Sequence, residues 1–405
     1  MTETVFNPFV PGFDEDPYGH YRELRESSPV HEHPLGFWFI SRHADVFPLL
    51  RGPLSVEQRH LAGHSRWTEM RESTGATDWR AGALSMLDRD PPDHTRLRSL
   101  VAKVFTPRAI SALEPRITAL VDTALDRMAR AGESDLVEEL AFPLPFTVIT
   151  EMLGMPPADE AHVRGLTGTL VRSLEPVADP EVARAITEAD RELCALVADV
   201  VDWKRANPAD DLLTELIQAE HDGEMLSDDE LIAQVVLLYI AGHETTVNLI
   251  SNGVVALLRD PEQLALLRGD PSLIANAVEE LLRYDSPVQS SRRVTLQPYL
   301  AGGHEIPAGS FVIANLGSAN RDPEFWGSDA DQLDLTRANA RQHSSFGAGP
   351  HHCLGAALAR LEGRVAIGRL VDRFPALALA GPVGWNGRIN LRGAATVPVT
   401  TRPLR

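Results

Sequence analysis

Cysteine is almost missing from this chain: Cys194 and Cys353 are its only two in 405 residues. A disulfide-stapled scaffold is thereby excluded, and no Cys or Cys/His spacing of the zinc type exists. Nor does any hydrophobic run approach the roughly 20 residues that cross a bilayer. The segment Met1 to Val10 has no basic stretch followed by an apolar one. The expectation is therefore a cytoplasmic chain without a signal peptide or membrane anchor. A surplus of positive charge is lacking too. The net charge of -19 at pH 7 argues against nucleic acid and anionic membrane as partners, and an acidic partner would need a local basic patch. With 43% hydrophobic residues and no internal repeat, the chain has enough apolar surface for a large core, and one domain over residues 1–405 is expected.

What is present is concentrated in one stretch, Phe346-Gly347-Ala348-Gly349-Pro350-His351-His352-Cys353-Leu354-Gly355. Glycines and a proline at these spacings cannot continue a helix, so the run reads as a tight loop presenting one sulfur. From Leu354 onward Ala, Leu, Arg and Glu recur at helical spacing. Cys353 then sits at a helix N-terminus, where unpaired N–H groups and the helix dipole favour a thiolate. A lone cysteine before a core helix is most often inert. Gly347 and Gly349 favour a ligand role, because they let backbone approach something large and flat. Cys194, in the helical run Arg191 to Val201, reads as core.

A second stretch is long and buried. Ser227-Asp228-Asp229-Glu230 is a capping box, Leu231 to Leu258 is apolar on nearly every face, and Arg259-Asp260-Pro261 ends the run. Such a helix spans about 40 Å. Its polar interruption is Gly242-His243-Glu244-Thr245-Thr246. Two readings follow: a kink with hydroxyls bonded one turn back, or a groove where something small is held and protonated.

Elsewhere the spacing predicts a short helix at Pro17 to Ser27, strands within Val30 to Ile40, and a long lid-like connection over 51–85. A helix from Asp90-Pro91-Pro92-Asp93 to Pro107 carries His94 and Arg98 on one side. Successive helices, with no competing strand, fill Ala109 to Val201, and Gly165 to Ala183 reads as a hinged pair over a pocket or as a surface loop. The helix from Asp270 to Tyr284 places Glu280 and Arg283 beside its apolar stripe, which alone implies a surface ion pair. Val294 to Ile313 reads as a hairpin sheet, and Trp385 to Arg405 as sheet with Gly393 to Thr396 a pocket lip.

These features together resemble the cytochrome P450 haem-thiolate monooxygenases of the soluble bacterial class. Their ligand loop, Phe-Gly-x-Gly-x-(His/Arg)-x-Cys-x-Gly, is filled by Phe346, Gly347, Gly349, His351, Cys353 and Gly355. Their Ala/Gly-Gly-x-(Asp/Glu)-Thr motif is filled by Ala241, Gly242, Glu244 and Thr245. The resemblance implies a mainly α fold with a small β region, a triangular helical prism holding haem between the long central helix and the Cys353 loop. It implies haem b with Cys353 as the axial metal ligand, and O2 as co-substrate. His94, Arg98 and either Arg293 or its neighbour Arg292 would bind the haem propionates; Ala241, Phe346, Gly347, His351 and Gly355 would complete the cofactor site. Glu244 and Thr245 would be catalytic, delivering protons for reductive O–O cleavage. Glu280, Arg283 and Arg321 would form a buried structural lock. The implied pocket contains Tyr239, His243, Val288, Gln289, Ser290 and Ala395.

The implied reaction is hydroxylation or epoxidation of an apolar small molecule, a secondary metabolite such as a polyketide, macrolide or terpenoid. The stretch after Cys353 is too short for a fused flavin or nicotinamide domain, so electrons would come from a ferredoxin and ferredoxin reductase acting on a monomer. Arg360 and Arg364, with Arg96 or Lys103, are the expected docking patch. Two rivals share the fold: a peroxide-driven peroxygenase, in which the acid-Thr pair is usually replaced, and a non-catalytic haem sensor or scaffold. Cys353, Thr245 and Glu244 are all present.

Overall fold

The computed structural model describes residues 4–57, 84–103, 105–155, 160–175, 179–221 and 224–402. Its axis is the central helix Asp228–Arg259, 32 residues long and so about 48 Å. The start is fixed as the sequence implies: Ser227 Oγ accepts from the Glu230 N–H at 3.2 Å, and the Glu230 carboxylate accepts from the Ser227 N–H at 3.0 Å. Because this helix is apolar on most faces, other helices surround it. Pro143–Met152, Pro180–Ala206, Ile274–Tyr284 and Ala356–Arg373 all pack against it. Glycine sets the closest approach. A Cβ on Gly363 would come 3.1 Å from Leu249, and one on Gly253 would come 3.1 Å from Leu281.

The β region lies to one side. Its five-stranded sheet has the spatial order Val30–Glu32, Trp38–Ile40, Phe311–Asn315, Ser290–Thr295, Leu54–Ser55. All pairs are antiparallel except Phe311–Asn315 with Trp38–Ile40. Val30, Ile40, Val312 and Ala314 pack with Leu49 and Leu50 of the helix His43–Arg51 and with Ala348. Through Ala348 this small core anchors the Cys353 loop. A second sheet joins Ala378–Leu379, Pro398–Thr400 and Glu133–Asp135.

Several boundaries differ from expectation for local reasons. The His94 helix runs only Asp93–Ala102. Pro107 begins a helix instead of stopping one, since Thr106 Oγ1 accepts from the Ala109 N–H and proline suits the first turn. Glu133–Asp135 is a strand where only helices were expected, three residues being too short for alternation to show. The Asp270 segment opens as a 3-10 turn, Pro271–Leu273, before the helix Ile274–Tyr284. Of the connection over 51–85, Leu54–Ser55 is a strand, and the expected lid at 58–83 lies outside the described residues. Gly165 to Ala183 does hold the ends of two helices, Glu160–Leu170 and Pro180–Ala206, and these roof a cavity.

Candidate active site

The floor of that cavity is the Cys353 loop. Gly347 and Gly349 have φ of 66° and 69°, the left-handed region that disfavours a side chain. Gly349 is doubly constrained, because a Cβ there would sit 2.7 Å from the Leu50 carbonyl oxygen and 3.0 Å from Arg51 Cα. The Cys353 N–H donates to the Phe346 carbonyl at 2.8 Å and closes the turn. Its side chain opens into a cavity of about 720 Å³. Burial pushes the Cys353 thiol up, while the Gly355 N–H, Arg98 and Arg360 act in the opposite sense. Arg360 lies 4.5 Å over the Phe346 ring and donates to Glu279 at 2.8 and 3.1 Å.

Across the cavity the central helix presents Ala241, Gly242, Glu244, Thr245 and Thr246. Thr245 Oγ1 donates to the Ala241 carbonyl at 3.1 Å, one turn back, and the helix stays unbroken. The Glu244 carboxylate is paired with Arg388. Beside Thr246 stands a residue that sequence reasoning missed. Glu362 is 1% exposed, and neither carboxylate oxygen has a hydrogen-bond partner of normal geometry. Burial lifts its carboxyl from 4.5 to about 8, with Thr246 the polar group pulling it back. It is therefore neutral at pH 7 within a largely apolar wall. Spacing held the signal: Leu358, Glu362 and Ala366 share the buried face of the helix Ala356–Arg373.

One end of the cavity is built for anions. His94 is 2% exposed with both ring nitrogens unpartnered, and its ring lies 4.3 Å from that of His351. Arg98 reaches the same place and donates to the His352 carbonyl at 2.7 Å. Arg292 and Arg293 differ in direction. Arg292 donates to the Leu174 carbonyl in the roof, whereas Arg293 is buried close enough to His351 to repel its protonated form. Burial, His94, Arg293 and Arg98 together hold His351 down at about 3. Donors gathered this closely in a buried site call for carboxylates. A flat dicarboxylate macrocycle with a metal that takes Cys353 fits these residues.

The structural lock is buried, as the resemblance implied and the helix wheel did not. Glu280 and Arg283 are both 0% exposed, with bonds of 2.7 Å at Nε and at one terminal nitrogen. Arg283 also donates to the carbonyls of Asn320, Ala330 and Gln332. All five guanidinium N–H groups are thereby used, which offsets the desolvation of the pair. The third arginine is Arg337, not Arg321. Arg337 Nε reaches Glu280 at 3.2 Å, while Arg321 donates to the Tyr284 carbonyl between the rings of Tyr18 and Tyr284.

Four expected pocket residues lie off the cavity wall. Tyr239 and His243 face away from it: the Tyr239 hydroxyl meets Thr150 Oγ1 at 2.7 Å, and His243 Nδ1 donates to the Tyr239 carbonyl at 2.8 Å. Gln289 is occupied by the Ser286 carbonyl at 2.7 Å, and Ala395 is exposed on the surface. Val288 and Ser290 do line the cavity, with Leu170, Ile186, Val236 and Leu391 among the apolar wall. Cys194 lines it too, so it is less a core residue than expected. Arg360 is bound to Glu279 and Arg96 to Glu230. Of the expected docking patch, Arg364 and Lys103 are exposed.

That dicarboxylate macrocycle is a haem, and the fold and site define a haem-thiolate protein. The cytochrome P450 family profile matches residues 182–270 and 271–380. Cytochrome P450 107B1 of Saccharopolyspora erythraea is 43% identical, with 96% of each chain covered. The 6-deoxyerythronolide B hydroxylase of the same organism is 43% identical over 78% of each chain. The solved structure of the Bacillus subtilis bacillaene polyketide synthase cytochrome P450 PksS covers 98% of this chain and 100% of its own, with a TM-score of 0.87 at 35% identity. The chain belongs to the cytochrome P450 family. It is a haem-thiolate monooxygenase that works with a redox partner on a small-molecule substrate, and no described helix is long and apolar enough to cross a membrane.

Proposed function

We propose that the protein hydroxylates or epoxidises a largely apolar secondary metabolite of the polyketide or macrolide class. The observation that carries this reading is the cavity, about 720 Å³ and mainly apolar, between Cys353 and Glu244-Thr245. Two relatives support it, one being a 6-deoxyerythronolide B hydroxylase and the other a polyketide synthase cytochrome P450. The haem is the haem b that the family resemblance implies, and two distant cysteines offer no thioether pair for covalent attachment. Ferredoxin and its reductase supply electrons in the cytoplasm, with the exposed Arg364 at the docking face.

When bound, the haem would supply dioxygen activation, and the Cys353 thiolate holding it would favour O–O scission. The chain does the rest. His94, Arg98 and Arg293 hold the propionates. The Thr245 hydroxyl, which bonds the Ala241 carbonyl one turn back, would hold a proton and a water at the reacting end of the cavity. Glu244, on the cavity wall with Arg388 as its partner, would relay protons from the solvent side; Glu362, neutral at pH 7, holds a second proton next to Thr246. Leu170, Ile186, Val236 and Leu391 keep the site dry. The acid-Thr pair on the cavity wall favours this reading over a peroxygenase.

The test is an absorption titration of the purified ferric protein with macrolactones, terpenes, steroids and fatty acids, followed by turnover with ferredoxin, its reductase and NADPH. A shift towards high spin with a macrolactone, and a product heavier by one oxygen, is the expected result. Silence with macrolactones and a shift with another class would overturn the substrate reading. A reduced carbon monoxide complex without the thiolate Soret band would overturn the site.

A further inference from the structure

Glu175 ends the first roof segment, immediately after the 3-10 turn Val171–Leu174. Its carboxylate is held by three consecutive backbone N–H groups from a distant loop. Oε2 accepts from Ile389 at 2.9 Å and Asn390 at 2.9 Å; Oε1 accepts from Leu391 at 3.0 Å and Asn390 at 3.1 Å. Successive N–H groups turned inward make a concave nest suited to an anion, and charge-assisted bonds of this kind are the strong ones.

The loop so held is part of the site. Asn390 and Leu391 line the cavity, and Arg388 pairs with Glu244. Its other attachments run to the strand segment at 288–290 and within the loop itself. Asn390 Oδ1 accepts from the Ser290 N–H and Oγ, Gln289 N–H donates to the Asn390 carbonyl, and Asn386 Nδ2 donates to the Leu391 carbonyl. Glu175 thus bonds the roof to the loop, and Arg292 adds a second roof bond through Leu174.

We infer that Glu175 is a positioning residue: by holding the amides of 389–391 it sets the cavity wall against which the substrate rests and keeps Arg388 on Glu244. The inference rests on the reading that this cavity takes haem and substrate. A carboxylate is required, since all four contacts are donated to it. In Glu175→Gln one oxygen remains an acceptor and the amide NH2 confronts N–H groups, donor against donor. In Glu175→Asp the charge stays but the reach shortens by one methylene.

Two readouts on the haem-loaded ferric protein test this. Hydrogen exchange at Ile389, Asn390 and Leu391 should be about 10-fold faster in Glu175→Gln, the loss of one or two charge-assisted hydrogen bonds, with central-helix amides unchanged. Binding of 4-phenylimidazole, followed by the Soret shift, should show association and dissociation rates raised together by about 5-fold, with affinity nearly constant. Glu175→Asp should recover part of both effects, and Glu181→Gln, an exposed acid on the second roof helix, should show neither. Unchanged exchange in Glu175→Gln overturns the hold on the loop. Faster exchange with unchanged probe kinetics overturns the positioning role and leaves a purely structural bond. Failure of the haem-thiolate reading would show separately, as no Soret shift with 4-phenylimidazole in the unaltered protein.

Discussion

Replacing Glu362 by glutamine should stabilise the protein, and by an amount that depends on pH. Burial raises the Glu362 carboxyl from 4.5 to about 8, against the pull of Thr246. Below pH 4.5 the group is protonated in both folded and unfolded chains and its titration adds nothing. Between 4.5 and 8 the unfolded chain gives up the proton and the folded chain keeps it, so stability falls as pH rises. Each pH unit is worth about 1.4 kcal/mol. The wild-type deficit is then about 3 kcal/mol at pH 7 and levels off at about 5 kcal/mol above pH 8. Glutamine has the same shape and no titration, and its own desolvation resembles that of the neutral acid. Urea unfolding of the haem-loaded wild type and Glu362→Gln at pH 5, 7 and 8.5 should show midpoints that nearly coincide at pH 5 and separate progressively above it. A difference that stays constant across the three pH values would refute the reasoning.

Other outcomes are equally direct. Thr245→Ala should keep haem and substrate binding but release hydrogen peroxide, with product formed per NADPH falling about 10-fold; tight coupling in this variant would remove Thr245 from the reaction. Gly349→Ala combines a left-handed φ with a contact of 2.7 Å to the backbone of Leu50, a cost of about 2 kcal/mol or more, and should yield protein with little bound haem on a pyridine haemochrome assay. Arg364→Glu should weaken ferredoxin binding about 5-fold at low salt and much less at 0.5 M salt; an equal loss at both salts would place Arg364 outside an electrostatic contact.

Local signals made much of this site legible. The Cys353 loop depends on glycines and a ligand at fixed offsets, and the capping box at Ser227 and Glu230 is complete within four residues. Long-range partners were not readable. Arg337 rather than Arg321 completes the lock because chain path, not spacing, brings 337 to Glu280. Tyr239 and His243 were misplaced because a helix apolar all round gives no phase; its cavity face is settled only by the helix Pro143–Met152 packing behind it. The lip was expected at Gly393 to Thr396, whereas Asn390 and Leu391 form it, since Glu175 draws that loop inward from far away in sequence. Arg360 looked like a free surface cation until Glu279, on another helix, was placed beside it.

The cavity's two sides are specified by different kinds of atom. Beneath, Gly349 abuts the main chain of Leu50 and Arg51, and Arg283 grips three main-chain carbonyls. Above, Leu170 and Ile186 of the roof helices are among the apolar residues that line the cavity. A main-chain contact cannot be exchanged by mutation one methyl at a time, whereas a leucine can become a valine or a phenylalanine. Descendants of this chain are thus free to drift in what they accept while the oxidising chemistry stays put, and a library aimed at new substrates belongs in the roof.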